Sequence, residues 1–219
     1  FDLMDDVHKN KWMERITYFV LRRSTFFTSD ANVTRDKAVK YGMNPNRTVV
    51  FPWGVNLQQF APNPSPVTRH PSQFTLFCNR SWEPRYGVDV LAKAFAKVAQ
   101  QNPNVDLLLL GGGSQGTVIR HILQSGGVFA RVSMPGQVTQ KDLPRWYHMA
   151  DLYISPSHVD GSSVSLMEAL ACGLPCLVSD IPANKEWVTE GENGWLFPDG
   201  NADALAAKIL SAIAARESL

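Results

Sequence analysis

Apolar runs alternate with amphipathic segments along most of the chain beyond residue 73. Strands are predicted for five of these runs, namely FTLFCN, VDLLLLG, ARVSMPG, DLYISPS and PCLVSD, and a short apolar segment, GWLFPD, comes later. A strand in a one-sided sheet alternates apolar and polar residues, whereas most of these runs are apolar at consecutive positions. The pattern therefore indicates a parallel sheet with both faces covered.

Helical patterns separate the predicted strands. Val88, Leu91, Phe95 and Val98 form one helical face, and further helices are predicted for SQGTVIRHILQSGG, KDLPRWYHMA, VSLMEALACG, PANKEWVTEG and NADALAAKILSAIAAR. This alternation of strands and helices predicts a doubly wound α/β domain. In such domains ligands bind beyond the carboxyl ends of the strands, so the loops at those ends are the first candidates for a site.

The amino-terminal residues follow a different pattern. The stretch FDLMDDVHKNKWMERITYFVLRR has apolar residues at helical spacing, and RTVVFPWGV is predicted as a buried strand. Between them, the pair Ser29 and Asp30 is expected to cap a helix that stops at Gly42.

Four prolines within ten residues, in APNPSPVTRHPSQ, predict a semi-rigid linker. We therefore predict a first domain over residues 1–60, a linker over residues 61–73 and a second domain over residues 74–219.

The composition is that of a globular protein, and it excludes several kinds of partner. Of the 219 residues, 44% are hydrophobic and 19% are charged, and 21 basic against 20 acidic side chains leave a net charge of +1. We therefore expect no nucleic-acid partner, and no apolar run of about 18 residues predicts a transmembrane segment. The chain begins at Phe1 without an initiator Met or a signal-peptide pattern, so we expect it to be the middle of a longer protein.

Three cysteines, Cys78, Cys172 and Cys176, lie in apolar surroundings, and no set of His and Cys residues completes a metal-binding pattern. We expect three buried, reduced thiols, no metal and a cytoplasmic protein. Attachment to the inner face of a membrane stays open.

Four loops follow predicted strands, at residues 79–87, 111–114, 136–139 and 155–165. The first carries Arg80 and Arg85, whose guanidinium groups suit phosphate oxygens, although a surface arginine is often simply solvated. The second contains Gly111, Gly112 and Gly113 before a helix, where the backbone can approach a ligand closely. This spacing is not the dinucleotide-binding pattern G-x-G-x-x-G, and glycines of a tight turn without a ligand are the alternative.

The fourth loop places two carboxylates, Asp160 and Glu168, eight residues apart around a Gly/Ser stretch. One interpretation is structural, with Asp160 in a turn and Ser165 and Glu168 forming a capping box at the start of a helix. The other is functional, because acids suit sugar hydroxyls while arginines and helix amides suit phosphates. His158 lies close by, but the sequence shows no partner that would tune it as a base.

The segment from about Thr48 to Arg216 resembles a known family. It is similar to the nucleotide-sugar-binding half of retaining glycosyltransferases of the GT-B fold, in family four (glycosyl transferases group one). The matching motifs are VVFPWGVNLQQFAP, NRSWEPRYGVDVLAKAFAKV, LLLLGGGSQ, MPGQVTQKDLPRWYHMADLYISPS, DGSSVSLMEALACGLPCLVSD and EGENGWLFPDGNADALAAKI. The resemblance implies a Rossmann-like doubly wound sheet, the carboxyl-terminal half of a GT-B fold, preceded by the tail of a second α/β domain.

The resemblance also implies roles for individual residues. The family's E-x7-E motif falls on Asp160 and Glu168, which would hold the hydroxyls of the donor sugar and of the ribose, and Arg80 would grip the diphosphate. The residues expected to line the rest of the donor site are Arg85, Gly111, Gly112, Gly113, Val138, Thr139, Gly161, Ser162, Ser163, Val164 and Ser165.

Three positions depart from the family's pattern. Asp160 stands where Glu is more usual, which shortens the reach of the acid by one methylene. Tyr86 stands where the family has a lysine that contacts the diphosphate, so Arg85 is the candidate substitute, and Trp53 replaces a frequent Asn.

The resemblance implies sugar transfer from a nucleoside diphosphate sugar, of the UDP, GDP or ADP type, to an acceptor hydroxyl with retention and without a required cofactor. The acceptor, a glycan, a lipid or a small molecule, would bind a domain of which only the tail is present, so we expect this chain to bind donor without transferring sugar. The alternatives are a nucleotide-sugar epimerase of the same fold, a non-catalytic nucleotide-binding or regulatory module, and the dinucleotide domain of an oxidoreductase.

Overall fold

The computed structural model describes Leu3, Val7, residues 10–63 and residues 73–217. By its contacts the chain divides into two compact units. The first comprises Phe1–Gly54, Val159–Val164 and Ile181–Trp187, and the second comprises Val55–His158, Ser165–Asp180 and Val188–Leu219. Most of the predicted linker, residues 64–72, lies outside the described residues, and the predicted limits of the domains remain a prediction.

The first unit begins with α1 (Lys11–Arg23), β1 (Phe27–Ser29), α2 (Asn32–Lys40) and β2 (Thr48–Val50). The two strands pair in parallel. Its small core consists of Val7, Leu21, Ala38, Tyr41 and Met43.

The predicted helix in this region is confirmed as α1, but four of its large apolar side chains are not buried. Trp12, Ile16, Phe19 and Val20 are each more than half exposed, whereas Thr17 and Leu21 form the buried face.

The predicted cap at the start of α2 is wrong. The helix begins after Ala31, whose side chain cannot cap it. Its first two backbone amides, those of Asn32 and Val33, instead donate to the two carboxylate oxygens of Glu186 at 3.1 and 3.0 Å. A carboxylate at the positive end of a helix satisfies orphan amides as a local cap would, but this one lies more than 150 residues further along the chain.

The second unit is built on a six-stranded sheet in which each adjacent pair of strands is parallel. Its strands are β3 (Phe74–Cys78), β4 (Val105–Leu110), β5 (Val132–Gly136), β6 (Leu152–Ser155), β7 (Cys176–Ser179) and β8 (Gly194–Phe197). Their order in the sheet is β5-β4-β3-β6-β7-β8, which confirms the predicted doubly wound sheet.

Helices connect these strands. They are α3 (Val88–Gln101), α4 (Gly116–Ser125), α5 (Leu143–His148), α6 (Val164–Ala171), the short α7 (Pro182–Lys185), which belongs to the first unit, and α8 (Ala202–Glu217). None of the described helices is long and apolar enough to span a membrane.

Two apolar layers hold the sheet in place. The predicted helical face of Val88, Leu91, Phe95 and Val98 is fully buried against the sheet, in one core with residues of α4 and α8. A second layer is aromatic, and its members Phe60, Phe77, Tyr147 and Tyr153 have ring centroids 5.0–5.9 Å apart in successive pairs.

Two predicted elements are shorter in the structure. The strand RTVVFPWGV is reduced to β2, and the helix PANKEWVTEG is reduced to the single turn of α7. The predicted end of the helix is not helical, since Glu190 pairs with Gly194 in a β-bridge and Gly191 has a positive φ of 81°.

Candidate functional site

The order of the sheet creates a switch point between β3 and β6. The chain passes from β3 to β4 and β5 on one side, and then returns to place β6 on the other side of β3. The connections that leave β3 and β6 therefore diverge, which opens a crevice at the carboxyl ends of the two strands. The loop after β3 carries Asn79 and Arg80 into this region.

Arg80 is joined to the start of α6 across this crevice. Its Nη1 donates to Ser165 Oγ at 2.9 Å. The hydroxyl oxygen of Tyr153 on β6 lies 2.9 Å from Ser165 Oγ and 3.1 Å from Asn79 Oδ1. It therefore connects the loop after β3 with α6. This network fixes a guanidinium group beside the first turn of a helix, which is a favourable place for an anion.

Glu168 lies one helical turn further along α6 and is only 3% exposed. Gln140 Nε2 donates to its Oε1 at 2.7 Å, and the Tyr147 hydroxyl lies 2.9 Å from its Oε2. Burial, followed by the nearby Tyr153 and Glu168, raises the pKa of Tyr147 well above its ordinary value. The phenol therefore keeps its one proton, and its two acceptors, Glu168 Oε2 and Ser165 O, each lie 2.9 Å from its oxygen.

The capping-box interpretation of this segment is wrong. The helix begins at Val164, so Ser165 is its second residue and does not occupy the cap position. The Glu168 carboxylate is engaged by Tyr147 and Gln140, and the Ser165 hydroxyl is engaged by Arg80.

Trp82 links the loop after β3 to the glycine turn after β4. Its backbone amide donates to Gly112 O at 2.9 Å, and its indole donates to Leu110 O at 3.1 Å. The turn needs glycine at two places for different reasons. Gly111 has a φ of +101°, and a Cβ on Gly113 would lie 2.6 Å from the carbonyl carbon of Trp82.

A cleft of about 250 Å³ lies at the carboxyl ends of β3, β4 and β5. It brings together three of the predicted residues, Gly111, Gly112 and Val138. Thr139 faces elsewhere, since its hydroxyl donates to Asp142 Oδ2 at 2.7 Å in the turn before α5. The other residues that line the cleft are Asn79, Ser81, Leu110, Gln137 and Leu143.

Arg85 lies in the short 3-10 turn that precedes α3, and its carbonyl accepts a hydrogen bond from the His158 amide at 2.9 Å. The expectation that His158 has no partner is wrong. Its Nδ1 lies 2.6 Å from Asp199 Oδ1, an acid 41 residues further along the chain.

Asp160 and the Gly/Ser loop belong to the first unit. Asp160 Oδ1 accepts from the Gly161 amide at 3.1 Å, as expected for a turn, and the Ser162 amide donates to Asp30 Oδ2 at 2.9 Å. A Cβ on Gly161 would lie 2.6 Å from Asp30 Oδ2, so a larger residue there would displace that carboxylate. Ser162 and Ser163 are buried, whereas Val164 is 39% exposed.

Five residues of this region were missed by sequence reasoning, namely Asn79, Trp82, Gln140, Tyr147 and Tyr153. Asn79 had a usable signal, because it directly follows a strand. The two tyrosines had none, since each fits the apolar pattern of its own helix or strand.

Among the described residues, no group of three or more His, Cys, Asp or Glu side chains forms a candidate metal site. The three cysteines are buried and free, and burial raises the pKa of Cys78 and of Cys172 to about 11.

Comparison with known proteins shows the family of the chain. The sequence model described as "Glycosyl transferases group 1" matches residues 64–219. The chain belongs to this glycosyltransferase family. A phosphatidyl-myo-inositol mannosyltransferase of Mycolicibacterium smegmatis is 31% identical over 166 residues, which cover 74% of this chain and 42% of that protein.

Two further proteins are similar to this group 1 glycosyltransferase chain. A GDP-mannose-dependent alpha-(1-6)-phosphatidylinositol monomannoside mannosyltransferase of the same organism is 26% identical over 172 residues, covering 73% of this chain and 45% of that protein. The crystal structure of Anabaena HepE in complex with UDP-glucose superposes with a TM-score of 0.84 at 20% identity, covering 99% of this chain and 62% of HepE. At that identity the likeness shows the fold.

This group 1 glycosyltransferase chain therefore has the Rossmann-like half of a GT-B fold, and it spans less than half the length of these curated relatives.

Proposed function

We propose that the chain is the donor-binding part of a retaining hexosyltransferase. The intact enzyme transfers a sugar from a nucleoside diphosphate sugar to a hydroxyl of a glycan, a lipid or a small molecule. The observation that carries the proposal is the bond between Arg80 and Ser165 beside the buried Glu168, at the switch point of the sheet.

The chemistry of the leaving group supports this proposal. When the bond between the anomeric carbon and the diphosphate breaks, negative charge develops on the diphosphate. Arg80 is held where it can donate to phosphate oxygens, and a helix begins beside it, so a fixed positive field meets that charge. Each charge-assisted hydrogen bond contributes about 1.5–3 kcal/mol. Our proposal therefore assigns this task to protein groups and requires neither a metal nor a cofactor.

The two acids have different roles in the proposal. Glu168 accepts from the ribose hydroxyls, with its orientation fixed by Tyr147, and Asp160 accepts from the hydroxyls of the donor sugar. The cleft beside Gly111 and Val138 accommodates the base. These assignments rest on the family's two-acid motif together with the hydrogen bonds that hold Glu168.

The proposal does not specify the base of the donor nucleotide. One relative's name specifies GDP-mannose, while HepE was crystallised with UDP-glucose. The residues around the cleft are mostly glycine, aliphatic and amide side chains, which are compatible with more than one base.

We further propose that residues 1–60 are the tail of an acceptor-binding domain, and that residues 61–73 link it to the donor domain of residues 74–219. On this proposal the chain alone binds donor without transferring sugar. Three free, buried cysteines support a reducing, cytoplasmic environment.

Isothermal titration calorimetry of the chain with UDP, GDP, ADP and NAD tests the proposal. We expect one nucleoside diphosphate to bind with a Kd in the micromolar range, about −8 kcal/mol, and to bind more tightly than NAD. Binding of NAD alone would overturn the proposal in favour of a dinucleotide-binding domain.

Arg80→Ala provides the matched test of the diphosphate role. This variant should weaken binding of the preferred nucleoside diphosphate by about tenfold or more, because one charge-assisted contact is lost. Lys93→Ala is the control, since Lys93 pairs with Asp89 on the surface of α3, and it should leave the affinity unchanged.

A further inference from the structure

Tyr86 is the aromatic neighbour of both arginines in the loop after β3. The Arg80 guanidinium carbon lies 4.4 Å from the centre of the Tyr86 ring, and the Arg85 guanidinium carbon lies 5.5 Å from the same centre. Both distances are within the range of a cation–π interaction. The two guanidinium carbons are therefore no more than about 10 Å apart, and both lie near the same aromatic ring.

We propose that Tyr86 is a positioning residue that holds Arg80 and Arg85 as the paired cations of the diphosphate subsite. This inference rests on the proposed function, and it adds a specific partner for the second arginine. It assigns to Tyr86 no contact with the donor itself.

The backbone around Tyr86 is fixed, which a positioning residue requires. The Tyr86 amide donates to Glu83 O at 2.9 Å, within the 3-10 turn. Gly87 follows with a φ of +59°, and a Cβ at this position would lie 2.1 Å from Pro156 O at the end of β6. The turn is therefore pressed against the end of β6, where the His158 amide also donates to Arg85 O.

The ring of Tyr86 is half-buried and packs against the main hydrophobic core of the second unit. Because the Tyr86 ring is packed on the core, its position is fixed, and an arginine side chain in contact with it is restrained. The stacked guanidinium groups consequently lose rotamer freedom before an anion arrives, and a preorganised cation binds its anion with a smaller entropic cost.

The other contact of Arg80 agrees with this arrangement. Its Nη1 donates to Ser165 Oγ while its guanidinium carbon lies over the Tyr86 ring. A guanidinium group presents five N–H donors in a planar fork, which suits bidentate contact with phosphate oxygens. Lysine at either arginine position would keep the charge but would lose the planar stacking group.

Binding of nucleoside diphosphates and of the matching nucleosides to Tyr86 variants tests the inference. The probes are UDP, GDP and ADP, each compared with uridine, guanosine or adenosine by calorimetry and by saturation-transfer NMR. Tyr86→Leu removes the ring and should weaken binding of the preferred nucleoside diphosphate about tenfold, with the nucleoside unaffected. Tyr86→Phe keeps the ring and should bind both probes within twofold of the unmodified chain.

Phe129→Leu is the matched control, because Phe129 is another half-buried ring on the same core. It should leave the affinity for both probes unchanged. If Tyr86→Leu bound the diphosphate as tightly as the unmodified chain, or lost affinity for nucleoside and diphosphate equally, the positioning role would be wrong while the proposed function stood. If the unmodified chain bound no nucleoside diphosphate, both would fall.

Arg85→Lys keeps the inference testable if Tyr86→Leu fails to fold by circular dichroism. This variant retains the charge but loses the stacking group, and it should weaken diphosphate binding about threefold. Unchanged affinity in this variant would show that stacking of Arg85 on Tyr86 contributes nothing.

Discussion

The two acids of the donor motif are held in opposite ways. Glu168 is 3% exposed, and both of its carboxylate oxygens have donors, Gln140 and Tyr147, on another segment of the second unit. Asp160 is half-buried, and its Oδ1 accepts from the amide of the adjacent Gly161. Glu168 is thus held by side chains that are distant in the sequence, whereas the bond to Asp160 Oδ1 comes from the next residue of its own turn.

The loop that carries Asp160 has its own distant support. The Ser162 amide donates to Asp30, in the connection between β1 and α2 of the first unit. The side chain of Asp30 also occupies the space that a Cβ on Gly161 would need. The comparison teaches that the acids of one short motif depend on different parts of the fold, so substitutions should separate their effects.

Removal of Glu168 should have the largest effect. Glu168→Ala takes away the proposed ribose acceptor and should weaken nucleoside diphosphate binding about 10- to 100-fold in calorimetry. It also removes the carboxylate that accepts from the buried Tyr147 hydroxyl and from Gln140 Nε2, so we expect the free energy of unfolding to fall by about 1–3 kcal/mol. Glu168→Gln is the control for the charge. Lower stability with unchanged affinity would make Glu168 a purely structural residue.

Loss of the Tyr147 hydroxyl should have the next largest effect. Tyr147→Phe removes a donor to Glu168 and the acceptor of Asn79 Nδ2, and it should lower the free energy of unfolding in urea by about 1–2 kcal/mol. Tyr18→Phe is the matched control, because the Tyr18 hydroxyl makes an exposed hydrogen bond to Lys40 O. Equal stability of the two variants would mean that the buried network does not hold Glu168.

Asp30→Ala should have a smaller effect, confined to the Asp160 loop. Loss of the acceptor should speed hydrogen exchange of the Ser162 amide and lower the stability by about 1 kcal/mol. Asp36→Ala, which removes an exposed partner of Arg35, should change neither the hydrogen exchange of the Ser162 amide nor the stability. We expect Asp30→Ala to bind nucleoside diphosphate normally but to lose part of its preference for the nucleotide sugar. Equal losses for both ligands would contradict separate support of the two acids.

The features that could be predicted from the sequence are those with local causes. The strand after the predicted linker, the fully buried face of α3 and the glycine turn at Gly111 all follow from spacing or from backbone conformation within a few residues. The parallel sheet follows from apolar strands that alternate with helices, which again is a property of neighbouring residues.

The features that could not be predicted have partners far apart in the sequence. The hydroxyls of Tyr147 and Tyr153 acquire their roles only when β6 lies beside β3, and nothing in their own segments distinguishes them from core residues. Glu186 caps α2 from more than 150 residues away, and Asp199 approaches His158 from 41 residues away. Polar networks of this kind are set by the topology of the sheet, which local patterns do not encode.

A third acid, Glu83, gives the smallest expected effect and sharpens the contrast with Glu168. Its carboxylate accepts from the Ser114 hydroxyl at 2.5 Å and from the Ser114 amide at 2.8 Å, and these bonds hold the pKa of Glu83 below its ordinary value. Because the folded-state pKa is lowered, the stabilisation is present above the unfolded pKa and is lost as the pH falls through the folded one. NMR titration should show the Glu83 pKa rising towards its ordinary value in Ser114→Ala, since the hydroxyl contributes most of the shift. An unchanged pKa would show that the amide alone holds this carboxylate beside the glycine turn.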